Sequence, residues 1–378
     1  MANDRPLVAQ YQGKILFPVA HSIAVNWGLA LPYAELPSQK WSTLPLDWAW
    51  WPPIPYAPHT LDAANANYRS PLGPQTVRSW RWRHWLGTDK LGRDVLAGLV
   101  QGSRTAWLVG LVSMGVALVL GLFFGSLGGY FGDHILRYSR AKLWGGSLGA
   151  ATGLGYAVVC LGPFLAPAGG LVVLLGGAAA LVFGGLTAWA LLALLGLWWR
   201  PLAATTGLPL DAAVLRLIEL FNAVPTLVLL ICLLGFLTKP GLLTVMLIIG
   251  LVRWTGIARF VRSELLRIRV LPYVAAARLS GFSHWRILLR HALPNALGPV
   301  MVAIAFGVAG AILLEAFLSF LNVGLPPDQV SWGSLLRQAR NQSSAWWLAV
   351  FPGLAIFVTV LSLNVLGDAL RPGHNRPT

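Results

Sequence analysis

The chain has 378 residues, of which 56% are hydrophobic and 11% are charged, whereas about 25% of the residues of a soluble domain are charged. This composition excludes a soluble enzyme, a disordered chain and a disulfide-rich secreted module. The 28 Lys and Arg against 13 Asp and Glu give a formal net charge of +15. In so hydrophobic a chain, that excess is typical of the cytoplasmic loops of a membrane protein and not of a nucleic-acid-binding domain.

Residues 1–103 differ in composition from the rest of the chain, because tryptophans and prolines recur there among scattered charges. We predict a compact, turn-rich segment that lies outside the membrane. Residues 15–34 carry no formal charge, but they contain four residues that are costly in lipid: Pro18, His21, Asn26 and Pro32. We therefore do not expect them to span a membrane.

About seven stretches are apolar enough to cross a bilayer, for which a helix needs about 20 residues. The interval between Lys142 and Arg200 is free of charge and long enough for two spans, with prolines and glycines near its middle that suit a tight turn. The sequence therefore predicts an all-α fold, a polytopic transmembrane helical bundle. Its predicted spans lie at 104–133, twice within 142–200, and at 219–239, 241–258, 295–320 and 345–367.

Basic residues near the ends of the spans predict the orientation of the bundle. Residues 262–294, between the fifth and sixth predicted spans, carry six arginines against Glu264 alone. We therefore place this segment in the cytoplasm, together with a short tail at 373–378. Residues 1–103 then lie outside, and because nothing visible upstream would export them, we expect that a preceding transmembrane helix is missing from this chain.

The cytoplasmic segment contains a pattern of two short helices joined by a glycine. Alanines before Gly281 favour a helix that the glycine ends in a left-handed conformation. The helix that follows, at about 283–291, is amphipathic, with Trp285, Leu288 and Leu289 on one face and basic residues on another. Pro294 then permits a sharp redirection into the sixth span. Such a pair of helices suits docking into a groove of a partner protein, although an ordinary basic loop is the simpler interpretation of these residues alone.

Part of this segment follows a spaced pattern: Ala-Ala, three residues, Gly, and Leu-Pro twelve residues later. The residues in this pattern are Ala276, Ala277, Gly281, Leu293 and Pro294. The pattern resembles the coupling loop of binding-protein-dependent ABC importer permeases. Ala275 stands where that family usually has Glu. An alanine cannot make the charge contact that this Glu usually makes with an ATPase subunit.

The resemblance extends to three further segments, which follow in the same chain order: residues 85–95, 318–333 and 346–368. They are similar to the segment before the second helix, the last external loop and the final helix of the dipeptide/oligopeptide/nickel C-type permease subfamily. Residues 3–18 and 51–54 look like the long external loop of the microcin C-type peptide permease branch. In that branch the loop follows a first transmembrane helix, which agrees with the missing-helix hypothesis.

The resemblance implies a type I ABC importer permease, one subunit of a transporter that moves peptides or peptide-like solutes across the bacterial inner membrane. It implies as partners two ABC ATPase subunits, a second homologous permease, an external solute-binding protein and membrane lipid, and no nucleic acid. The permease core covers 211–372, whereas 134–210 is an inserted two-helix membrane hairpin without an assigned function. The residues that the resemblance assigns to ATPase coupling are Ala275, Ala276, Ala277, Gly281, Trp285, Arg286, Arg290, Leu293 and Pro294.

No pattern in the sequence indicates catalysis. The chain lacks a P-loop motif, and Cys160 and Cys232 lack the spacing of a metal site. Residues 145–149 fit the G-x-S-x-G elbow, but a protease in the membrane would need a histidine at membrane depth, and all seven histidines lie outside the predicted spans. We therefore predict no catalytic residue, no metal and no cofactor, with ATP hydrolysis in separate subunits.

Three residues are candidates for the translocation pathway or its gating. Pro225, shortly after Asn222, is expected to kink the fourth span. Glu315 is either a functional acid at membrane depth or a helix-end acid that reaches the external interface, and both interpretations stay open. The alternative function, a secondary transporter or a channel, would need discontinuous helices and several buried acids, which the predicted spans almost lack.

Overall fold

A computed structural model describes residues 3–26, 28–29, 41, 44–133, 137–139, 205–237, 240–326 and 329–371. Most of the insertion predicted at 134–210 lies outside these residues, as does the predicted tail at 373–378.

The N-terminal segment contains a small antiparallel sheet. Strand β1 (Val8–Tyr11) pairs with β2 (Lys14–Leu16) in a hairpin and with β3 (Trp48–Trp50) on its other edge. Gln12 and Gly13, which join β1 to β2, have positive φ angles of 51° and 77°. Two such residues in succession form the turn that matches the twist of a hairpin.

Helix α1 (Pro18–Asn26) follows the sheet, and its nine residues are too few to cross a bilayer. Over the residues that the structure describes, this agrees with the prediction that 15–34 do not form a span. Between residues 51 and 94 the segment consists of turns and two short 3₁₀ helices, Ala63–Asn65 and Trp80–Trp82.

The rest of the described chain is mainly helical. Its elements are α2 (Val95–Ser126), β4 (Arg137–Ser139), β5 (Thr205–Gly207), α3 (Leu210–Asn222), α4 (Thr226–Gly235), α5 (Leu242–Ile268), α6 (Pro272–Leu279), α7 (His284–Ile287), α8 (Leu293–Phe320), α9 (Trp332–Asn341) and α10 (Trp347–Ala369). A π turn at Leu127–Phe131 extends α2, and another at Leu288–Ala292 joins α7 to α8. Strands β4 and β5 pair in an antiparallel manner.

Four helical segments are long and apolar enough to span a membrane: Val95–Phe131, Leu242–Ile268, His284–Phe320 and Trp347–Ala369. The pair α3 and α4, bent by 77° at a short break, makes a fifth candidate. Each overlaps one of the five spans predicted on described residues, so the predicted helical membrane bundle is confirmed. The two spans predicted within 142–200 fall outside the described residues, and the count of seven stays a prediction.

Two of these helices are longer than their apolar stretches. Helix α2 begins at Val95 and not at 104, and α5 continues to Ile268 and not only to 258. Arg104 and Arg259 are exposed on these helices. A charge therefore ends the hydrophobic stretch without ending the helix, because a long basic side chain can reach water from a helical backbone.

The contacts divide the chain into two compact units, and each has its own packing. The first comprises Met1–Leu118, Pro225–Trp254 and Met301–Thr378, and the second comprises Val119–Val224 and Thr255–Val300.

In the first unit, buried tryptophans tie the N-terminal segment and α2 to the last two helices. The indole N–H of Trp347, which lies in a buried cluster with Val95, donates a hydrogen bond to the carbonyl of Thr88 (3.1 Å). The indole N–H of Trp332 donates to the carbonyl of Leu99 (3.0 Å). These bonds satisfy the polar atom of each ring where its apolar body is buried.

In the second unit, the end of α2 packs on α5 through a row of glycines. Gly121, Gly125 and Gly129 are four residues apart and share one face of α2. A Cβ at Gly125 would lie 2.7 Å from the carbonyl oxygen of Ala258 and 2.7 Å from the Cβ of Val261. The absence of side chains on this face therefore allows the two helices to approach closely.

Candidate functional site

Helices α6 and α7 meet at a glycine turn, as the sequence predicts. Pro272 occupies the first turn of α6, where its missing N–H costs little, and the helix ends at Leu279. Gly281 has a φ of 77°, and a Cβ there would meet no atom within 4 Å. The glycine is thus required by the backbone conformation and not by space. Ser283 then caps α7, because its Oγ accepts a hydrogen bond from the N–H of Arg286 (3.4 Å).

The second helix of this loop differs from the prediction. Helix α7 has only four residues, and the π turn Leu288–Ala292 joins it to α8 without a sharp redirection at Pro294. A π turn admits an extra residue into the helical backbone and so accommodates a proline ring that would clash within an uninterrupted α-helix. The loop is therefore continuous with a membrane-spanning helix.

The exposed surface of this loop is apolar and basic. Leu279 is 90% exposed, Trp285 is 55% exposed and Leu289 is 60% exposed. Arg286 and Arg290 are exposed beside them, and we call these five residues the coupling surface. The sequence analysis missed Leu279 as a site residue, although a large apolar residue two positions before a helix-ending glycine is a signal that could have identified it.

The other predicted coupling residues are divided between the surface and the interior. Ala275, Ala276, Gly281 and Pro294 are exposed, Leu293 is half-buried and Ala277 is buried. Leu288, predicted to share a face with Trp285 and Leu289, is only 1% exposed. The prediction assumed a regular α-helix, whereas the π turn rotates Leu288 towards the interior.

Two buried aromatic residues at the end of α2 hold the coupling loop within the second unit. The ring of Phe131 lies 4.9 Å from that of Trp285. The hydroxyl of Tyr130 lies 3.5 Å from Nδ1 of His284, and the guanidinium of Arg278 lies 6.0 Å from the centre of the Tyr130 ring. The sequence analysis missed this aromatic pair, whose signal is its place at the end of an apolar span.

An ion pair beside this aromatic pair fixes α3 to α5. Oδ1 of Asp133 accepts a hydrogen bond from the N–H of Asp211 (2.9 Å) at the start of α3. The carboxylate of Asp211 accepts two N–H groups of Arg262, with Nη2 at 2.6 Å from Oδ2 and Nε bonded to Oδ1. Such a bidentate pair gives a defined orientation as well as attraction. Asp211 therefore joins two helices.

The break predicted at Pro225 is present. Pro225 is the N-cap residue of α4 and separates it from α3, because its ring and missing N–H do not fit a helix interior. Oδ1 of Asn222 accepts a hydrogen bond from the hydroxyl of Thr255 (3.2 Å). A role of these two residues in the pathway or its gating stays a prediction.

The side chain of Glu315 is buried in this structure. Glu315 is only 2% exposed. The hydroxyl of Ser319 donates a hydrogen bond to its Oε1 (2.7 Å). Both interpretations that the sequence left open for Glu315 stay predictions.

Outside the spans, the N-terminal segment buries a charge cluster. His84 is 0% exposed and lies between Asp94 (Nδ1 to Oδ1, 2.9 Å) and Asp62 (Nε2 to Oδ2, 3.2 Å), with the ring of Tyr56 stacked on it at 4.2 Å. Burial alone would lower the pKa of His84, but the hydrogen bonds and charges of Asp94 and Asp62 raise it above its ordinary value. Burial would raise the pKa of Asp62, but hydrogen bonds from Asn65 and His84 outweigh it and lower that pKa.

Comparison with known proteins finds a family that is similar to the second half of the chain. Residues 193–376 match the family model described as binding-protein-dependent transport system inner membrane component. The matched residues include the whole coupling loop and the membrane helices on either side of it.

Two curated relatives have names that concern transport. A provisionally named peptide transport system permease protein of Brucella suis biovar 1 is 43% identical over 162 residues, which cover 43% of this chain and 54% of that protein. The peptidoglycan transport system permease protein YejE of Agrobacterium fabrum is 26% identical over 392 aligned residues, which cover 98% of this chain and 83% of that protein. The chain thus spans about half the length of the Brucella relative.

A solved structure of the methionine ABC transporter MetNI in an inward-facing conformation is also similar to this chain. Its sequence identity is 16% and its TM-score is 0.44, with 72% of this chain and 96% of the solved chain covered.

The family match confirms the resemblance to binding-protein-dependent importer permeases that the sequence motifs indicated. It also confirms the expected all-α fold class of such a permease. It also agrees with a multi-pass location in the inner membrane and with a transport component, as opposed to an enzyme. Residues 193–376 of the chain are thus similar to the family of binding-protein-dependent transport system inner membrane components.

Proposed function

We propose that the chain is a permease subunit of an ABC importer that moves peptides or peptide-like solutes across the bacterial inner membrane. Two ABC ATPase subunits, a second homologous permease and an external solute-binding protein complete the importer. The observation that carries this proposal is the coupling surface, where apolar and basic side chains lie exposed on a helical loop next to a membrane span.

Exposed apolar side chains on a rigid loop indicate a protein partner. Leu279 and Trp285 are suited to enter a groove of an ATPase subunit, where burial of each stabilises the complex by about 1.5–3 kcal/mol. Because Ala275 carries no carboxylate, we assign the polar part of the contact to Arg286 and Arg290, which form strong hydrogen bonds with acidic groups.

The packing of the second unit suggests how movement passes from the partner to the membrane helices. Trp285 contacts Phe131 at the end of α2, and Asp211 joins α3 to α5 through Arg262. A shift of the coupling loop as the ATPase subunits close on ATP would therefore move the ends of three helices together. Such a movement would bias the importer between inward-facing and outward-facing states.

The assignment of peptide-like solutes rests on the relatives. The Brucella protein is named for peptide transport and the Agrobacterium protein for peptidoglycan transport. Both names concern solutes with a peptide part, which supports the same class for this chain.

Affinity purification of the tagged chain from its native membranes in mild detergent tests the proposed assembly. We expect mass spectrometry to identify two P-loop ATPases, or two copies of one, and a second permease. A chain that purifies alone, and stays alone after crosslinking, would contradict the proposal and favour a secondary transporter or a channel.

Substitution of Gly281 tests the role of the loop in transport. A left-handed backbone costs a residue with a Cβ about 1–2 kcal/mol, whereas Asn adopts it routinely. We expect Gly281→Val to lower uptake of a labelled tripeptide by about tenfold while the chain still inserts into the membrane. Gly281→Asn is the matched control and should retain most of the uptake; normal uptake by the valine variant would contradict the lever role.

A further inference from the structure

Arg253 places a charge in the middle of a membrane-spanning helix. It lies about 17 Å along α5 from Leu242 at 1.5 Å per residue, near the centre of a hydrocarbon core about 30 Å thick. Its guanidinium stays protonated. A charge at this depth is costly, and such residues commonly mark the path of a substrate or an ion.

The side chain points into the first unit. On the same face of α5, Met246 and Ile249 are buried. The guanidinium lies against Gly310 of α8, where a Cβ would be 2.6 Å from Nη2. The glycine therefore leaves room for the half-buried arginine side chain between two spans.

No carboxylate neutralises this charge among the residues that the structure describes. Arg253 forms none of the six ion pairs found in that part of the chain. The buried acid of α8, Glu315, is bonded to Ser319 instead. No nitrogen of Arg253 is both buried and without a hydrogen-bond partner. The guanidinium is thus a half-buried donor group with accessible N–H bonds at mid-membrane.

We propose that Arg253 binds a carboxylate of the solute as it crosses the membrane, an inference that rests on the proposed function. The planar guanidinium presents parallel N–H groups that match the two oxygens of a carboxylate. A peptide with a free C-terminus always carries this group. Arg253 therefore makes the pathway favour anionic over neutral solutes, separately from selection by the binding protein.

The test compares two short peptides that differ only in a C-terminal carboxylate or amide, taken up by the assembled importer. The measured quantity is the uptake by each variant relative to the wild-type chain for the same peptide, which cancels any preference of the binding protein. We expect Arg253→Gln to lower uptake of the carboxylate peptide about tenfold, the loss of one charged hydrogen bond, and uptake of the amide less than twofold. Arg253→Lys should retain part of the carboxylate uptake.

A second pair of variants leaves the arginine in place. Gly310→Ala introduces a Cβ that displaces the guanidinium, whereas Gly298→Ala in the same helix meets no atom within 4 Å. We expect the first to reproduce the selective loss for the carboxylate peptide and the second to transport both peptides normally.

Equal losses of both peptides, or no loss, would overturn the inference, and equal losses would indicate that Arg253 pairs with an acid of the second permease. Retained ATP-dependent uptake of the amide shows that the importer is intact, so the inference can fail while the proposed function stands. A wild-type importer that takes up neither peptide would overturn the proposed function and the inference together.

Discussion

Single residues in the N-terminal segment carry a pH dependence that hydropathy does not indicate. His84 is buried between Asp62 and Asp94, so its charged form is favoured in the folded protein and its pKa is raised. A group of this kind stabilises the fold fully below its unfolded pKa, and the stabilisation is lost as the pH rises through the folded pKa. For Asp62, whose pKa is lowered, stabilisation is lost as the pH falls through that lowered value.

We therefore expect the melting temperature of the full chain, followed by tryptophan fluorescence in detergent, to decrease as the pH rises from about 6.5, the ordinary pKa of histidine. His84→Gln should remove this dependence and cost about 3–5 kcal/mol at pH 6, because it leaves the buried carboxylate of Asp94 and the half-buried carboxylate of Asp62 without a charged partner. His59→Gln, at an exposed histidine of the same segment, is the control. An unchanged pH profile in His84→Gln would show that another group titrates.

At the scale of elements, side-chain size on α2 decides how closely two helices pack. Gly125 lies against the backbone of α5, whereas Gly115 on the same helix has no atom within 4 Å of a Cβ position. Both glycines lie in the same apolar helix, so the sequence pattern predicts the span but not which glycine is needed. The contact on the facing helix makes the difference.

We expect Gly125→Ala to destabilise the chain by about 1–3 kcal/mol, because the added methyl group overpacks the contact with Ala258 and Val261. Gly115→Ala should be neutral or stabilising by up to about 1 kcal/mol, since alanine has the higher helix propensity. Unfolding by SDS in mixed micelles measures both. Equal stability of the two variants would argue against close packing at Gly125.

At the scale of the whole molecule, the coupling surface is the region that we propose binds another protein. Leu279 is 90% exposed, so its substitution should not alter the stability of the chain. We expect Leu279→Asp to lower the recovery of ATPase subunits in affinity purification by about tenfold or more, as loss of one buried apolar anchor implies. Its melting temperature should match that of the wild-type chain.

Leu72→Asp provides the matched control, because Leu72 is 85% exposed in the N-terminal segment. It should purify with its partners as the wild-type chain does. Full recovery of ATPases with Leu279→Asp would exclude this leucine as an anchor, and loss of them with both variants would indicate a general effect of the added charge.

Much of the fold and part of the site could be predicted from residue pattern. Long apolar stretches predict membrane helices because lipid leaves a backbone few alternatives, and all five predicted spans on described residues overlap helices of the structure. Gly281 predicted its turn because its conformation is local. The spacing of Ala276, Gly281 and Pro294 led to the family, which the comparison confirms.

Contacts between distant parts of the chain had no such signal. Leu288 is buried because a π turn rotates its side chain towards the interior. Phe131 holds the loop through its contact with Trp285. The guanidinium of Arg253 fits between two helices because a glycine of the other helix leaves room for it. Local sequence sets hydropathy, turns and motif spacing, because these act between near neighbours. Which side chains are exposed, paired or left as free donors arises from packing between segments far apart in the chain, and it can be read only once those segments are brought together.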